Sequence, residues 1–185
     1  MVMIKSILRS FVLLVFFTLV LGIAYPLALA WIGKLFFPEQ TNGSLIEKDG
    51  VVIGSKLISQ DFTQDKYFHG RPTSSDPSNA PLSQAMLNRF SERINILQTR
   101  DCQQGRDVPV ELIMDSGSVV DPDISPEGAY FQIPRISKAT GISEDKLKEL
   151  IDSHIQNSFI RLYGQKRVNV LLLNIELDSM LNAAK

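Results

Sequence analysis

The run from Phe11 to Gly33, 23 residues without an Asp, Glu, Lys or Arg, constrains this chain more than any other feature. At 1.5 Å per residue a helix of that length reaches about 35 Å, against a hydrocarbon core of roughly 30 Å, so the run predicts one transmembrane helix with modest tilt. Lys5 and Arg9 stand immediately before it, which favours a cytoplasmic N-terminus; Lys34 and Lys48 weaken that asymmetry without reversing it. Tyr25 and Trp31 lie toward the outer end, and Pro26 is tolerable where a membrane helix has protein neighbours. Gly22, Ala24 and Ala28 would let another helix approach closely. A cleavable signal is a second reading: the same basic residues, the first half of the apolar run and Ala28-Leu29-Ala30 fit an A-x-A site. Either way, the body of the chain is exported.

The 19 Lys and Arg and 20 Asp and Glu all fall outside this run. Lys5, Arg9 and Lys34 are the only charged residues before position 38, so a formal net charge of −1 leaves the remainder near −4. A mildly acidic body argues against nucleic acid as a partner. Cys102 is the only cysteine, which excludes an intrachain disulfide and a Cys-rich metal site. The expected organisation is a cytoplasmic tail at 1–10, a span at 11–33, a linker at 34–44 rich in turn formers, and an extracytoplasmic domain at 45–185, long enough to build its own core.

Within the body, Val51-Val52-Ile53 and Leu57-Ile58 around Gly54-Ser55 predict one or two short strands, and 61–81 a loop. Leu82, Met86, Phe90, Ile94 and Leu97 recur at helical spacing, with Arg89 and Arg93 on the expected wet side. Residues 108–114 read as a strand or a helical turn. Ser125-Pro126-Glu127 is a helix start that Pro134 should interrupt within two turns. Gly141 ends a segment, and Ser143-Glu144-Asp145 opens a helix buried through Leu147, Leu150, Ile151, Ile155 and Phe159. Arg167 to Leu173 is apolar at nearly every position and reads as a central strand. The expected class is one N-terminal transmembrane helix followed by an α/β or α+β domain with a small sheet and about three to four helices.

No phosphate-binding G-x-x-x-x-G-K-[ST], no H-E-x-x-H and no G-x-S-x-G is present. His154 falls on an apolar helix face, where a hydrogen-bonded structural role is expected. Asp115, Ser116, Ser118, Asp121 and Asp123 could gather oxygens around a hard cation, but their spacing suits turns and caps better. Lys166-Arg167 is too short a basic pair to track a phosphate backbone and reads as a solvated edge.

Gly54-Ser55-Lys56-Leu57-Ile58-Ser59-Gln60-Asp61-Phe62, followed by Tyr67-Phe68-His69-Gly70-Arg71-Pro72, resembles the C subunit family of the bacterial Kdp potassium-transporting P-type ATPase. Ser116-Gly117-Ser118, Asp121-Pro122 and Ile124-Ser125-Pro126-Glu127 resemble a second block, and Arg167-Val168-Asn169-Val170-Leu171 with Leu173-Asn174 a third. With the span, the resemblance covers the whole chain. Asp115, Val119 and Asp123 depart from the family's usual alanine, glycine and histidine, and 73–81 is shorter than its usual insertion.

The resemblance implies an uncleaved, single-span, non-catalytic subunit in the bacterial inner membrane, with its main domain periplasmic. Its implied partners are a channel-like potassium-binding subunit, a P-type ATPase subunit and a very small membrane peptide. It also implies a catalytic chaperone that raises the ATPase subunit's affinity for ATP through a complex including ATP. An exported body faces no ATP, so no cofactor is expected to bind it directly; ATP and potassium are handled by the complex. Tyr67, Phe68, His69, Gly70, Arg71, Pro72, Ser116, Gly117, Ser118, Asp121, Pro122, Ser125, Pro126, Asn169 and Asn174 are then structural or partner-contact residues, and Gly22, Ala24 and Ala28 membrane-helix contacts. The competing reading is an anchored periplasmic hydrolase using Ser116 or Ser118 with His69.

Overall fold

A computed structural model of the chain describes residues 2–48, 50–72, 84–157 and 164–183. It divides into two compact units, 1–45 and 46–185.

The first unit is dominated by one continuous helix, Met3–Phe36, long and apolar enough to cross a membrane. It comprises α1 (Val2–Leu19), a π-helical turn at Val20–Ala24 and α2 (Tyr25–Phe36). The helix runs past both ends of the uncharged stretch, because Ile4, Ile7 and Leu8 continue the apolar composition before it and Leu35 and Phe36 after it. In the expected linker, Pro38–Thr41 forms a further turn, α3, with proline at its start.

The second unit begins with the hairpin of β1 (Leu45–Lys48) and β2 (Val51–Ser55), turned by Gly50 at φ +76°. Six helices come after it among the described residues. These are α4 (Gln84–Arg100), α5 (Val110–Ile113), α6 (Pro126–Phe131), α7 (Ile133–Thr140), α8 (Glu144–His154) and α9 (Val170–Ala183). A second two-stranded sheet pairs β3 (Asp123–Ile124) antiparallel with β4 (Val168–Asn169), in the register Asp123 to Asn169 and Ile124 to Val168. The expected class, a membrane-length helix and a mixed domain with little sheet, is borne out.

The core is assembled from one face of each helix: Leu97 of α4, Leu112 of α5, Ala129 of α6, Ile136 of α7, Leu147 and Ile151 of α8, and Leu173 and Leu177 of α9. Phe68, from the loop before α4, is fully buried among them. At about 25 cal/mol per Å² of apolar surface, each large side chain buried here stabilises the fold by about 1.5–3 kcal/mol.

Several features expected from local chemistry are present. Ser125 caps α6, accepting from the Gly128 amide at 3.0 Å, and the helix breaks at Gln132, two residues before Pro134. Gly141 ends α7 at φ +75°. Ser143 starts α8 through its carbonyl, without the expected side-chain cap. Residues 110–113 are helix.

The central strand expected at 167–173 is corrected: only Val168–Asn169 is strand, and Val170 begins α9. A short apolar run does not distinguish a buried strand from a buried helix. The helical spacing emerges only further on, at Val170, Leu173, Leu177, Met180 and Leu181. Asn169 sets the boundary, its Oδ1 accepting from the Leu172 amide at 3.1 Å. Leu82, Phe159 and the loop at 73–81 lie outside the described residues.

Candidate functional site

The segment Asp65 to Pro72 has no strand partner, so its buried backbone groups need other partners. Side-chain amides supply them. Asn174 on α9 accepts from the Phe68 N–H at 2.8 Å and donates to the Phe68 carbonyl at 2.9 Å. Gln132, at the break between α6 and α7, does the same for His69, at 2.8 and 3.0 Å. Each amide reproduces the paired bonds of a β-bridge. Both side chains are buried, Asn174 at 1% exposure and Gln132 at 0%.

Arg135 extends this arrangement. Its guanidinium donates to the carbonyls of Asp65 and Tyr67, to Gln132 Oε1 at 2.8 Å, and to Asp101 at the end of α4. Asp101 also accepts from Arg100 at 2.9 Å. A buried arginine–carboxylate pair is favourable only when the remaining donors are satisfied, and here backbone carbonyls satisfy them. Tyr67 closes the segment from outside, its hydroxyl bonded to Asp178 of α9 at 2.9 Å.

Arg71 joins this segment to the second block. Its Nη1 lies 3.2 Å from Asp121 Oδ2 and its Nη2 3.3 Å from the Asp115 carbonyl. Asp115 in turn pairs with Arg93 at 2.9 Å, so Arg93, expected on a wet face, is partly buried in an ion pair. The block is held by its own turns: Ser116 Oγ meets Ser118 Oγ at 3.1 Å, and Asp121 Oδ1 accepts from the Asp123 amide at 3.1 Å. Pro122 contributes its carbonyl to the Val170 amide at 3.0 Å. Ser125 donates through both N–H and Oγ to Glu111 Oε1, which lies where a Cβ on Gly128 would have to sit. Pro126 fills the first, buried turn of α6.

Asn169 binds the Lys56 carbonyl at 2.9 Å and Asp123 Oδ1 at 3.3 Å, while Arg167 Nε stands 3.3 Å from Asp123 Oδ2. Burial raises the Asp123 carboxyl above its ordinary value, against the opposing pull of Arg167 and Asn169. A cleft of about 610 Å³ opens beside these groups, lined by Arg71, Asp121, Asp123, Ser125, Lys166 and Arg167.

The glycine-like position of this block is Val119 rather than Gly117. Val119 has φ +65°, a left-handed conformation that costs a β-branched residue, whereas Gly117 is absent from the positive-φ positions. Asp115, Asp121 and Asp123 each face a different arginine, which is a poor arrangement for a shared cation. Among the described residues no group of three or more His, Cys, Asp and Glu side chains could hold a metal ion.

The serine–histidine pairing required for hydrolysis is not formed. His69 Nε2 is bonded to the Gln64 carbonyl at 3.1 Å, and the two serines bond each other. Burial, with Arg135 and Arg100 nearby, pushes the His69 ring down to about 4, which makes it a weak base. His154 bonds the Leu150 carbonyl at 2.9 Å and Ser153 at 3.0 Å, a structural engagement. Gly70 and Pro72 border a smaller recess with Arg93, Arg100 and Leu112. In the membrane-length helix, Ala24 closes the π-turn, Gly22 lies within it, and Ala28 stands further along in α2.

Sequence reasoning missed Asp101, Glu111, Gln132 and Arg135. The nearest signal was a single polar residue beside apolar helix positions, which equally describes a wet face.

Residues 7–179 match the family model described as K+-transporting ATPase, c chain. The chain is similar to the potassium-transporting ATPase KdpC subunit of Rhodopseudomonas palustris strain BisB18, 43% identical with 96% of this chain and 99% of that one covered. It is likewise similar to the KdpC subunits of Bradyrhizobium diazoefficiens, at 44% identity over 95% and 98% of the two chains, and Methylobacterium nodulans, at 40% over 96% and 98%. Matched over nearly its full length, the chain belongs to the KdpC family, the C subunits of the Kdp potassium-transporting ATPase.

Proposed function

We propose that this chain is a non-catalytic, single-span subunit that stabilises the assembled potassium pump and raises the ATPase subunit's affinity for ATP from the outer side of the membrane. The observation that carries this reading is the engagement of the block residues. Asn174, Gln132, Arg135, Arg71, Ser125 and Asn169 hold backbone and turns together, while Ser116 and Ser118 bond each other and His69 bonds the Gln64 carbonyl. Such a body presents a rigid surface to partners rather than a reacting group.

Lys5 and Arg9 support a cytoplasmic N-terminus and a periplasmic body. On that side ATP is not available, so the effect on ATP is a coupling between conformations across the membrane, on the order of 1–3 kcal/mol for linked sites. The proposed partners are the channel-like potassium subunit, the P-type ATPase subunit and the small membrane peptide.

The test is an ATP titration of pump turnover with and without the full-length chain, alongside nucleotide binding to the chain alone in mild detergent. The expected result is a lower apparent KM for ATP in the complete complex and no saturable binding by the chain alone. Tight, adenine-specific binding to the isolated chain would refute the indirect mechanism. Ser116→Ala and Asp121→Asn should reduce assembly and activity together; loss of activity in an intact complex would assign those residues a direct role.

A further inference from the structure

The segment Asp65 to Pro72 is fastened to the helices by side chains rather than by strand pairing, so it can open without dismantling them. Asn174 of α9 holds Phe68, Gln132 holds both main-chain groups of His69, and Arg135 of α7 holds the carbonyls of Asp65 and Tyr67. The helices α6 to α9 meanwhile share a core through Ala129, Ile136, Leu147, Ile151, Leu173 and Leu177, none of which belongs to the segment.

The ring of His69 stands where this fastening is most sensitive to charge. Its Nε2 lies 3.1 Å from the Gln64 carbonyl, which can only accept, so Nε2 carries the hydrogen and a further proton goes to Nδ1. Arg93 and Arg100 of α4 line the same recess, and Arg135 of α7 acts on the ring from the other side. The surrounding carboxylates already serve other cations. Asp101 is shared between Arg100 and Arg135, Asp115 pairs with Arg93, Asp121 with Arg71, and Asp178 of α9 with Lys66. Asp65, in the segment itself, acts on Arg135. From α5 the recess receives Leu112, while Glu111 is engaged by Ser125. A proton on His69 therefore adds charge to a cationic recess, and the strain is relieved when the segment swings out to water. Burial first, then Arg135 and Arg100, hold the closed ring near 4, against an ordinary 6.5.

We propose that residues 65–72 form an acid-released latch: protonation of His69 opens the segment while the helices stay folded, withdrawing Phe68 from the core and Arg71 from Asp121 and the Asp115 carbonyl. Opening unties the 67–72 block from the block at 116–126. As a response to external acidity, the latch rests on the reading of the body as periplasmic. His69 binds less proton closed than open between about 4 and 6.5, so closure is favoured above 6.5 and lost as pH falls toward 4. From pH 7 to pH 5 the open-to-closed ratio rises about 20-fold, a range over which ordinary carboxylates stay ionised.

The experiment is amide hydrogen exchange at pH 7 and pH 5 on the full-length chain in mild detergent, each rate divided by its intrinsic value at that pH. Protection at 65–72 should fall about 20-fold, while the core amides of α8 and α9 change by less than about 3-fold. In His69→Gln, which stays neutral, the segment should also change by less than about 3-fold. That variant separates His69 from Asp123, whose carboxyl is raised but which lies on β3 beside Arg167. Wild-type protection constant to within about 3-fold, equal loss throughout the helices, or the same loss in His69→Gln overturns the latch. Should the variant fail to fold, NMR titration of the wild-type imidazoles decides, with His154→Gln identifying which signal is His69. A ring titrating near 4 supports the latch, and one near 6.5 overturns it. These measurements use the chain alone, so their outcome is independent of the assembly and ATP titrations.

Discussion

Replacing Asn174 by alanine should unfasten the segment at 65–72 from the core, at a cost that can be worked from the geometry. Asn174 is 1% exposed, and its two bonds, at 2.8 and 2.9 Å, are those that satisfy the N–H and C=O of a fully buried Phe68. Asn174→Ala leaves both groups without partners, at about 1–3 kcal/mol each, or about 2–6 kcal/mol together. A water entering the space left by the amide would recover part of that, which centres the expectation near 3 kcal/mol. Against a total of about 5–15 kcal/mol for such a domain, that is a large fraction. The midpoint of thermal unfolding, followed by circular dichroism on the full chain in mild detergent, should fall by about 10 °C. Asn174→Asp is more diagnostic, because it keeps an acceptor for the Phe68 amide but places a carboxylate oxygen against the Phe68 carbonyl. It should be worse than alanine at neutral pH and recover as the pH falls, since the protonated acid can donate. Its carboxyl would be raised in the folded state, so stability is lost as pH rises through the folded value. A change of less than about 1 kcal/mol for alanine, or an aspartate variant indifferent to pH, would refute the argument that this amide holds the segment.

Three further outcomes are expected. Val119→Gly should stabilise the fold by about 0.5–1 kcal/mol, because it relieves a left-handed valine worth about 1–2 kcal/mol and adds about 0.5–1 kcal/mol of chain entropy; a lower urea midpoint would contradict this. Gly128→Ala should destabilise by about 1–3 kcal/mol, since its methyl group displaces Glu111 from Ser125, and Glu111→Ala in the same background should reduce the added penalty in a double-mutant cycle. His69, held near 4 in the folded chain against an ordinary 6.5, binds less proton folded than unfolded between those values, so its contribution is present above about 6.5 and lost as pH falls toward 4. His69→Asn should flatten that part of the acid limb of urea-unfolding midpoints, and an unchanged wild-type slope in the variant would show that the ring is not its source.

What the sequence determined by itself is what depends on neighbours along the chain. The 23-residue uncharged run, the Ser125-Pro126 helix start, the break before Pro134 and the stop at Gly141 are written in local composition and backbone chemistry, and each was legible. The family was legible too, because its blocks stand in order at 54–72, 116–127 and 167–174. The tertiary structure alone decided which polar residues are internal. Asn174 and Gln132 look like surface amides until α9 and the α6–α7 break bring them against Phe68 and His69, more than 60 positions away in sequence. Arg135 and Asp101 are charged residues whose burial depends on backbone carbonyls contributed by a distant loop. The same limit explains the misread strand: Val170 to Leu173 are apolar throughout, so their local period is silent, and only packing against α8 together with the Asn169 cap makes them helix. Solvent exposure is a property of the folded surface, and a polar side chain becomes a structural centre only when the fold removes every other partner from the backbone it serves.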